Sequence, residues 1–237
     1  MFMSLENAKL LLEESKTLLS AIESLYNDSL SQKDIPDILH IRIKQFLESI
    51  RSSLDFSAFE IFSRYCKKNI PTDKLYKIEK NVYFPIKESL DKFNDGIDAI
   101  FAGLRAQNID IVMILEKCQP FNTSSWLLHL NQLSNNNKHR DFTPQIRTEY
   151  KEVKMTSPSG GSVTWSASNV KFGPGVKVLG VPINPQTQMP AYKSDNKVEI
   201  TTWVEFIFND PKIPVLPTLK DFYHNALLVI NQLDKVV

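Results

Sequence analysis

Cysteine is scarce in this chain, an excess of charge of either sign is absent, and no apolar run is long enough to cross a bilayer. Each shortage narrows what the protein can be. Cys66 and Cys118 are the only cysteines, and without CxxC spacing they supply neither a disulfide framework nor a zinc ligand set. They read as small hydrophobes buried near predicted helix ends, which fits a reducing, cytoplasmic compartment. The formal net charge is +1, so no global field draws the chain to nucleic acid, and any basic footprint has to be local. The segment MFMSLENAKLLLEESKTLL is interrupted by Glu6, Lys9, Glu13, Glu14 and Lys16, which leaves neither a signal-peptide core nor a membrane span. The expected protein is soluble and makes no membrane contact.

Motifs are missing too. There is no GxxxxGK[ST], GxGxxG, GxSxG or HExxH and no clustered Cys/His set, so nucleotide hydrolysis, dinucleotide redox chemistry, serine hydrolysis and structural zinc lack their signatures. No cofactor and no metal are expected.

What the sequence does have is helical periodicity followed by β-rich runs. Ser4 is the expected N-cap of a helix to about Asn27, with Leu5, Ala8, Leu11, Leu12, Leu18, Leu19, Ile22 and Leu25 at helical spacing. Pro36 suits the first turn of a long second helix to about Cys66. A short helix is predicted at Asp73 to Glu79, another over Ile86 to Gln107 that Gly96 and Gly103 interrupt, a third at Asp110 to Lys117, and a fourth that Ser124 and Ser125 can cap. Beyond Pro144 the runs Ile146 to Met155, Ser162 to Val170, Val176 to Val181 and Val198 to Phe208 alternate as strands between Gly/Pro/Asn turns. A helix from Leu219 to Val236 closes the chain. The fold class is therefore α+β: a helical bundle over 1–143, then over 144–237 an antiparallel sheet covered by the C-terminal helix and packed on the bundle.

The densest polar stretch is Leu130 to Arg140, LNQLSNNNKHR. Asn131, Asn135 and Lys138 share one helical face, and Lys138 and Arg140 flank His139, a group that exchanges protons near neutral pH. This set can hold a phosphate (Lys138, Arg140) and act as acid and base (His139), the two tasks of a metal-independent ribonuclease. The structural alternative is a helix C-terminus, where cations meet exposed carbonyls. Asn135 stands four residues before His139 and can orient its imidazole. On the second helix His40, Lys44, Arg51 and Asp55 fall within roughly 60° of one another. Arg51 and Asp55 form an i,i+4 pair bordered by Leu47, Leu54, Ala58 and Phe62, so the carboxylate needs a partner: Arg51 or the Lys138 to Arg140 segment. His129 reads as packing and His224 as solvent-facing.

Arg51-Ser52-Ser53-Leu54-Asp55, Phe84-Pro85-Ile86, Gln119-Pro120-Phe121 and Leu130 through Lys138-His139-Arg140 resemble, in that order, the LRSALD, FPI, QPY and LNxLxNxxKHR signatures of an uncharacterised bacterial and phage-borne family. The helical part is in turn similar to HEPN domains, bundles that often dimerise and in many members cut RNA without metal in toxin–antitoxin and phage-defence systems. The resemblance implies a homodimer and RNA as partner. Catalytic HEPN members place an arginine ahead of the histidine; here Arg140 follows His139. Two functions are thus expected from different classes. One is an HEPN-like RNA-binding or RNA-cleaving protein with His139, Arg140, Arg51 and Asp55 at the reaction and Lys138, Asn135, Asn131 and Lys44 on RNA. The other is a non-catalytic module that binds another protein and whose Lys-His-Arg cluster is structural.

Overall fold

The first two helices show how the apolar spacing becomes a core. Helix α1 (Glu6–Ser29) buries Ala8, Leu12, Ser15, Leu18, Ile22 and Tyr26 along one stripe, as a period of three and four residues requires. Helix α2 (Asp37–Ile61) buries Leu39, Ile43, Phe46, Leu47, Ile50, Leu54 and Ala58 against it. Serines at the contact keep the backbones close: Ser49 donates to the Leu11 carbonyl of α1 at 3.0 Å, and Ser15 donates to the same oxygen at 2.7 Å. Ser53 and Ser57, wholly buried, return their hydroxyls to Ile50 and Leu54 carbonyls of their own helix. Polar groups that enter an apolar interior are thereby satisfied.

The computed structural model describes residues 5–29, 35–122, 125–139 and 145–237, with the side chains of 136–139 excepted. The expectations placed on Ser4, Ser124, Arg140 and Pro144, and on the side chains of Lys138 and His139, lie outside the described residues. After α2 the chain tightens into a π turn (Phe62–Cys66) and a short 3-10 turn (Lys67–Asn69), then forms α3 (Thr72–Glu79) and an extended stretch that includes Val82 to Lys87. Helices α4 (Leu90–Ile100), α5 (Leu104–Gln107), α6 (Ile109–Lys117) and α7 (Trp126–His139) follow. The predicted Ile86 to Gln107 helix is thus two helices. They are separated at Gly103, whose φ of 80° lies in the left-handed region that glycine enters without Cβ strain.

Two compact units divide the chain: residues 1–145 with 208–237, and residues 146–207. The first division falls two residues from the expected 143, but residues 208–237 go with the helices and not with the sheet, because the chain returns to the helical unit after the last strand. Helix α8 (Val215–Asp234) packs on α1, α2, α6 and α7, and Lys9 of α1 pairs with its Asp234 at 2.6 Å. From the π turn, Arg64 and Tyr65 donate to the carbonyls of Val236 and Val237. The last helix, expected to go with the sheet, therefore supplies core to the helices. An amphipathic stripe shows that a helix needs an apolar partner, not which partner it takes.

The second unit holds strands β1 (Gln145–Thr156), β2 (Ser162–Ser166) and β5 (Lys197–Phe208) in the order β2-β1-β5. Strands β1 and β2 are antiparallel, with Val153 opposite Trp165 and Met155 opposite Val163. A two-residue hairpin, β3 (Lys177–Val178) and β4 (Val181–Pro182), interrupts what the sequence predicts as one strand. Leu179 and Gly180 between them both have positive φ, the geometry of a tight primed turn. Val153, Met155, Trp165, Val178, Val181 and Ile183 make the unit's own core, and buried Gln188 pins it, receiving the Phe172 N–H at 2.6 Å and donating to the Pro185 carbonyl at 2.6 Å. On β5 only Phe206 and Phe208 of the alternating apolar set are buried, while Val198 and Ile200 are exposed. Among the described residues no helix is long and apolar enough to cross a membrane.

If α8 belongs to the helical core, Phe222→Ala, which removes a fully buried ring, lowers unfolding free energy by about 3–5 kcal/mol. Urea denaturation followed by far-ultraviolet circular dichroism measures this, and a loss under about 1 kcal/mol would contradict the packing.

Candidate functional site

Arg51 and Asp55 meet as the i,i+4 spacing predicts. Arg51 Nε donates to Asp55 Oδ2 at 3.2 Å, and both side chains are largely shielded, at 14% and 22% exposure. Asp55 has a second partner that the sequence does not reveal, since its Oδ1 accepts the backbone N–H of Phe84 at 2.8 Å. The carboxylate therefore joins α2 to the extended stretch, and the Lys138 to Arg140 segment is not needed to satisfy it.

The same stretch is gripped a second time. Gln119, wholly buried, donates from Nε2 to the Pro85 carbonyl at 2.9 Å and to the Leu115 carbonyl at 2.8 Å. Its Oε1 accepts the Lys87 N–H at 2.8 Å. A buried amide with all these bonds made fixes backbone as firmly as a strand partner does. Phe84 and Pro85 are buried between the two clamps. The segments around Arg51, Phe84, Gln119 and Leu130, far apart in sequence, thus lie together.

Arg51, Phe84-Pro85-Ile86 and Asn131 of these segments border a cleft of about 250 Å³, and Gln119 holds its wall from behind. Arg51, Lys87, Asn81 and Asn131 bring polar groups to it, and Tyr83, Pro85, Ile86, Ile100 and Phe101 bring apolar surface. Among the described residues its lining has two cations, Arg51 and Lys87, and no carboxylate. Nη1 of Arg51 is buried and has no hydrogen-bond partner among the described residues. An unpaired guanidinium donor beside low-dielectric surface costs free energy, and an anion in the cleft removes that cost while matching the charge. Asn135 donates to Asn131 Oδ1 at 3.4 Å, a weak contact that leaves the Asn131 amide nitrogen as a donor at the cleft wall.

Lys44 and His40 are not part of this arrangement. Lys44 pairs with Glu48 at 3.8 Å on an exposed face, and His40 Nδ1 lies 3.3 Å from Gln145 Nε2. Lys44 therefore stands apart from the Arg51 cleft: a shared 60° sector spreads the side chains over four turns of helix, and Lys44 is two turns from Arg51. Asn135 is exposed. His129 is half-buried and His224 exposed. Lys87 was missed because no motif or periodic pattern marks it. The one signal available was its position directly after Phe84-Pro85-Ile86.

Both thiols are held protonated. Burial pushes Cys66 and Cys118 up to about 12, and neither can act as a nucleophile near neutral pH. Among the described residues no group of three or more His, Cys, Asp or Glu is placed to hold a metal ion. Comparison of the chain with protein-family models, with curated proteins and with solved structures finds no match.

Replacing Asp55 by Ala orphans both the Phe84 N–H and Arg51 Nε, so stability falls by about 1–3 kcal/mol. The Phe84 amide then exchanges its hydrogen faster than in the parent protein. Unchanged exchange at Phe84 would show that the carboxylate does not hold the stretch.

Proposed function

We propose that the helical unit is an HEPN-like RNA-binding module that receives a backbone phosphate in the Arg51 cleft. The observation that carries this reading is Arg51 Nη1, buried and without a partner among the described residues, at a cleft whose described lining has two cations and no carboxylate. RNA offers that site a repeated anion, and the apolar wall suits the ribose and base that come with it. Arg51, Phe84-Pro85-Ile86 and Asn131 of the signature segments line one cleft, and Gln119 bonds its wall, which supports the family part of the reading, including a place in bacterial defence or toxin–antitoxin systems. Metal-independent cleavage belongs to the same proposal, with His139 as acid and base and Lys138 and Arg140 on the phosphate. Leu10, Phe56 and Phe59, which remain exposed on α1 and α2, supply apolar surface for a homodimer. Ile61 and Phe62 do not, because the bundle buries them completely.

A second reading has its own observation. Asp55 and Gln119 are occupied by backbone groups, as in a non-catalytic protein-binding module whose polar residues serve the fold.

Fluorescence anisotropy with single-stranded RNA tests the first reading. The parent protein binds, and Arg51→Gln weakens binding about tenfold across unrelated sequences, with thermal melts confirming that the variant is folded. Incubation with mixed RNA in EDTA tests cleavage: degradation lost in His139→Ala makes the protein a nuclease, and intact RNA makes it a binder. Absence of RNA binding moves the function to the second reading. Light scattering over micromolar concentrations gives twice the chain mass if the dimer forms, and a single chain mass rejects it.

A further inference from the structure

Lys87 is set into the cleft by a glycine. Its backbone is fixed by Gln119, and its side chain lies across α4 at Gly96. A methyl group replacing the Gly96 hydrogen would sit 3.0 Å from Lys87 Cε and 3.7 Å from Nζ. The first distance is tighter than ordinary contact, so a side chain at 96 makes the end of the lysine stem give by a few tenths of an ångström. Gly96 is in the middle of α4 (Leu90–Ile100), where glycine costs about 1 kcal/mol relative to alanine. The missing Cβ therefore weakens the helix locally, and what it provides in return is the seat for Lys87. Both residues line the cleft, and Lys87 has no ion-pair partner among the described residues.

We propose that Lys87 and Arg51 form a two-cation site for one phosphate group, with Gly96 as the positioning residue that lays Lys87 into the cleft. The nature of the ligand as RNA rests on the function proposed above; the phosphate site itself does not. The two cations have different tasks. Arg51 already shares its charge with Asp55 at 3.2 Å and offers a directed N–H, whereas Lys87 brings an uncompensated ammonium on a flexible stem. A tetrahedral oxyanion satisfies both, and the amide nitrogen of Asn131, which also lines the cleft, is a donor for a third oxygen.

The test uses the isotope-labelled full chain titrated with inorganic phosphate at constant ionic strength, read by amide chemical shifts. Saturable shifts centred on Lys87 and Gly96 are expected. Lys87→Gln weakens the apparent affinity about tenfold. Gly96→Ala weakens it comparably although the charge is retained and helix propensity improves, and the double variant is no weaker than Lys87→Gln alone, the non-additivity expected of one shared interaction. No saturable shift in the parent protein, or an unchanged affinity in Lys87→Gln, overturns the site. An unchanged affinity in Gly96→Ala overturns the positioning role. RNA binding without a phosphate response removes this site and leaves the RNA reading standing; a phosphate response without RNA binding does the reverse.

Discussion

Asp55 is where the helical core, the extended stretch and the cleft are tied together. Its two oxygens face in different chemical directions: one takes the guanidinium of Arg51 at 3.2 Å and the other the Phe84 N–H at 2.8 Å. A carboxylate beside a buried helix face is costly unless such bonds are made, and making both fixes two things at once. Arg51 is held by Nε, which fixes its guanidinium where the residue borders the cleft. Phe84 is held by its N–H, which stops the extended stretch from sliding along the helix.

Gln119 completes the restraint from the other side. It grips the Pro85 carbonyl and the Lys87 N–H, so the stretch that forms the cleft wall is bound by side chains at positions where a sheet would use a neighbouring strand. Proline at 85 lacks an N–H, and it is its carbonyl that Gln119 takes. The wall is rigid for reasons that have nothing to do with a ligand. Rigidity of that kind matters to binding, because groups already ordered lose little entropy when an anion arrives.

The parts legible in the sequence were those with a period. The stripe on α1, the length of α2, the pairing of Arg51 with Asp55 and the change to strands after the helices all follow from spacing and local chemistry. What remained hidden depends on tertiary partners. An amphipathic C-terminal helix has one apolar face whether it covers a sheet or enters a bundle, and here α8 joins α1 and α2. Val176 to Val181 has the composition of a strand, yet Leu179 and Gly180 turn the chain within it. The alternation on β5 reads as one buried face, and only Phe206 and Phe208 are buried. Lys87 and Gly96 carry no spacing signature at all, because their relation crosses from a loop to a helix. A glycine inside α4 reads in the sequence as an interruption, whereas its contact with Lys87 exists only in the folded chain.

A chain with net charge of +1 can still present a cationic cleft, since at physiological ionic strength charges beyond about 8 Å are largely screened and the local balance decides. Around this cleft Asp55 offsets Arg51, and the lining adds Lys87 with no further carboxylate among the described residues. The result is close to one positive charge together with a directed guanidinium donor. That combination favours an anion recognised by geometry as much as by field, so recognition of a single phosphate is weakly salt-dependent compared with that of a broad basic surface. Charge supplied by Lys87 and direction supplied by Arg51 are separate contributions, one placed by the absence of a side chain at Gly96 and the other by the presence of one at Asp55.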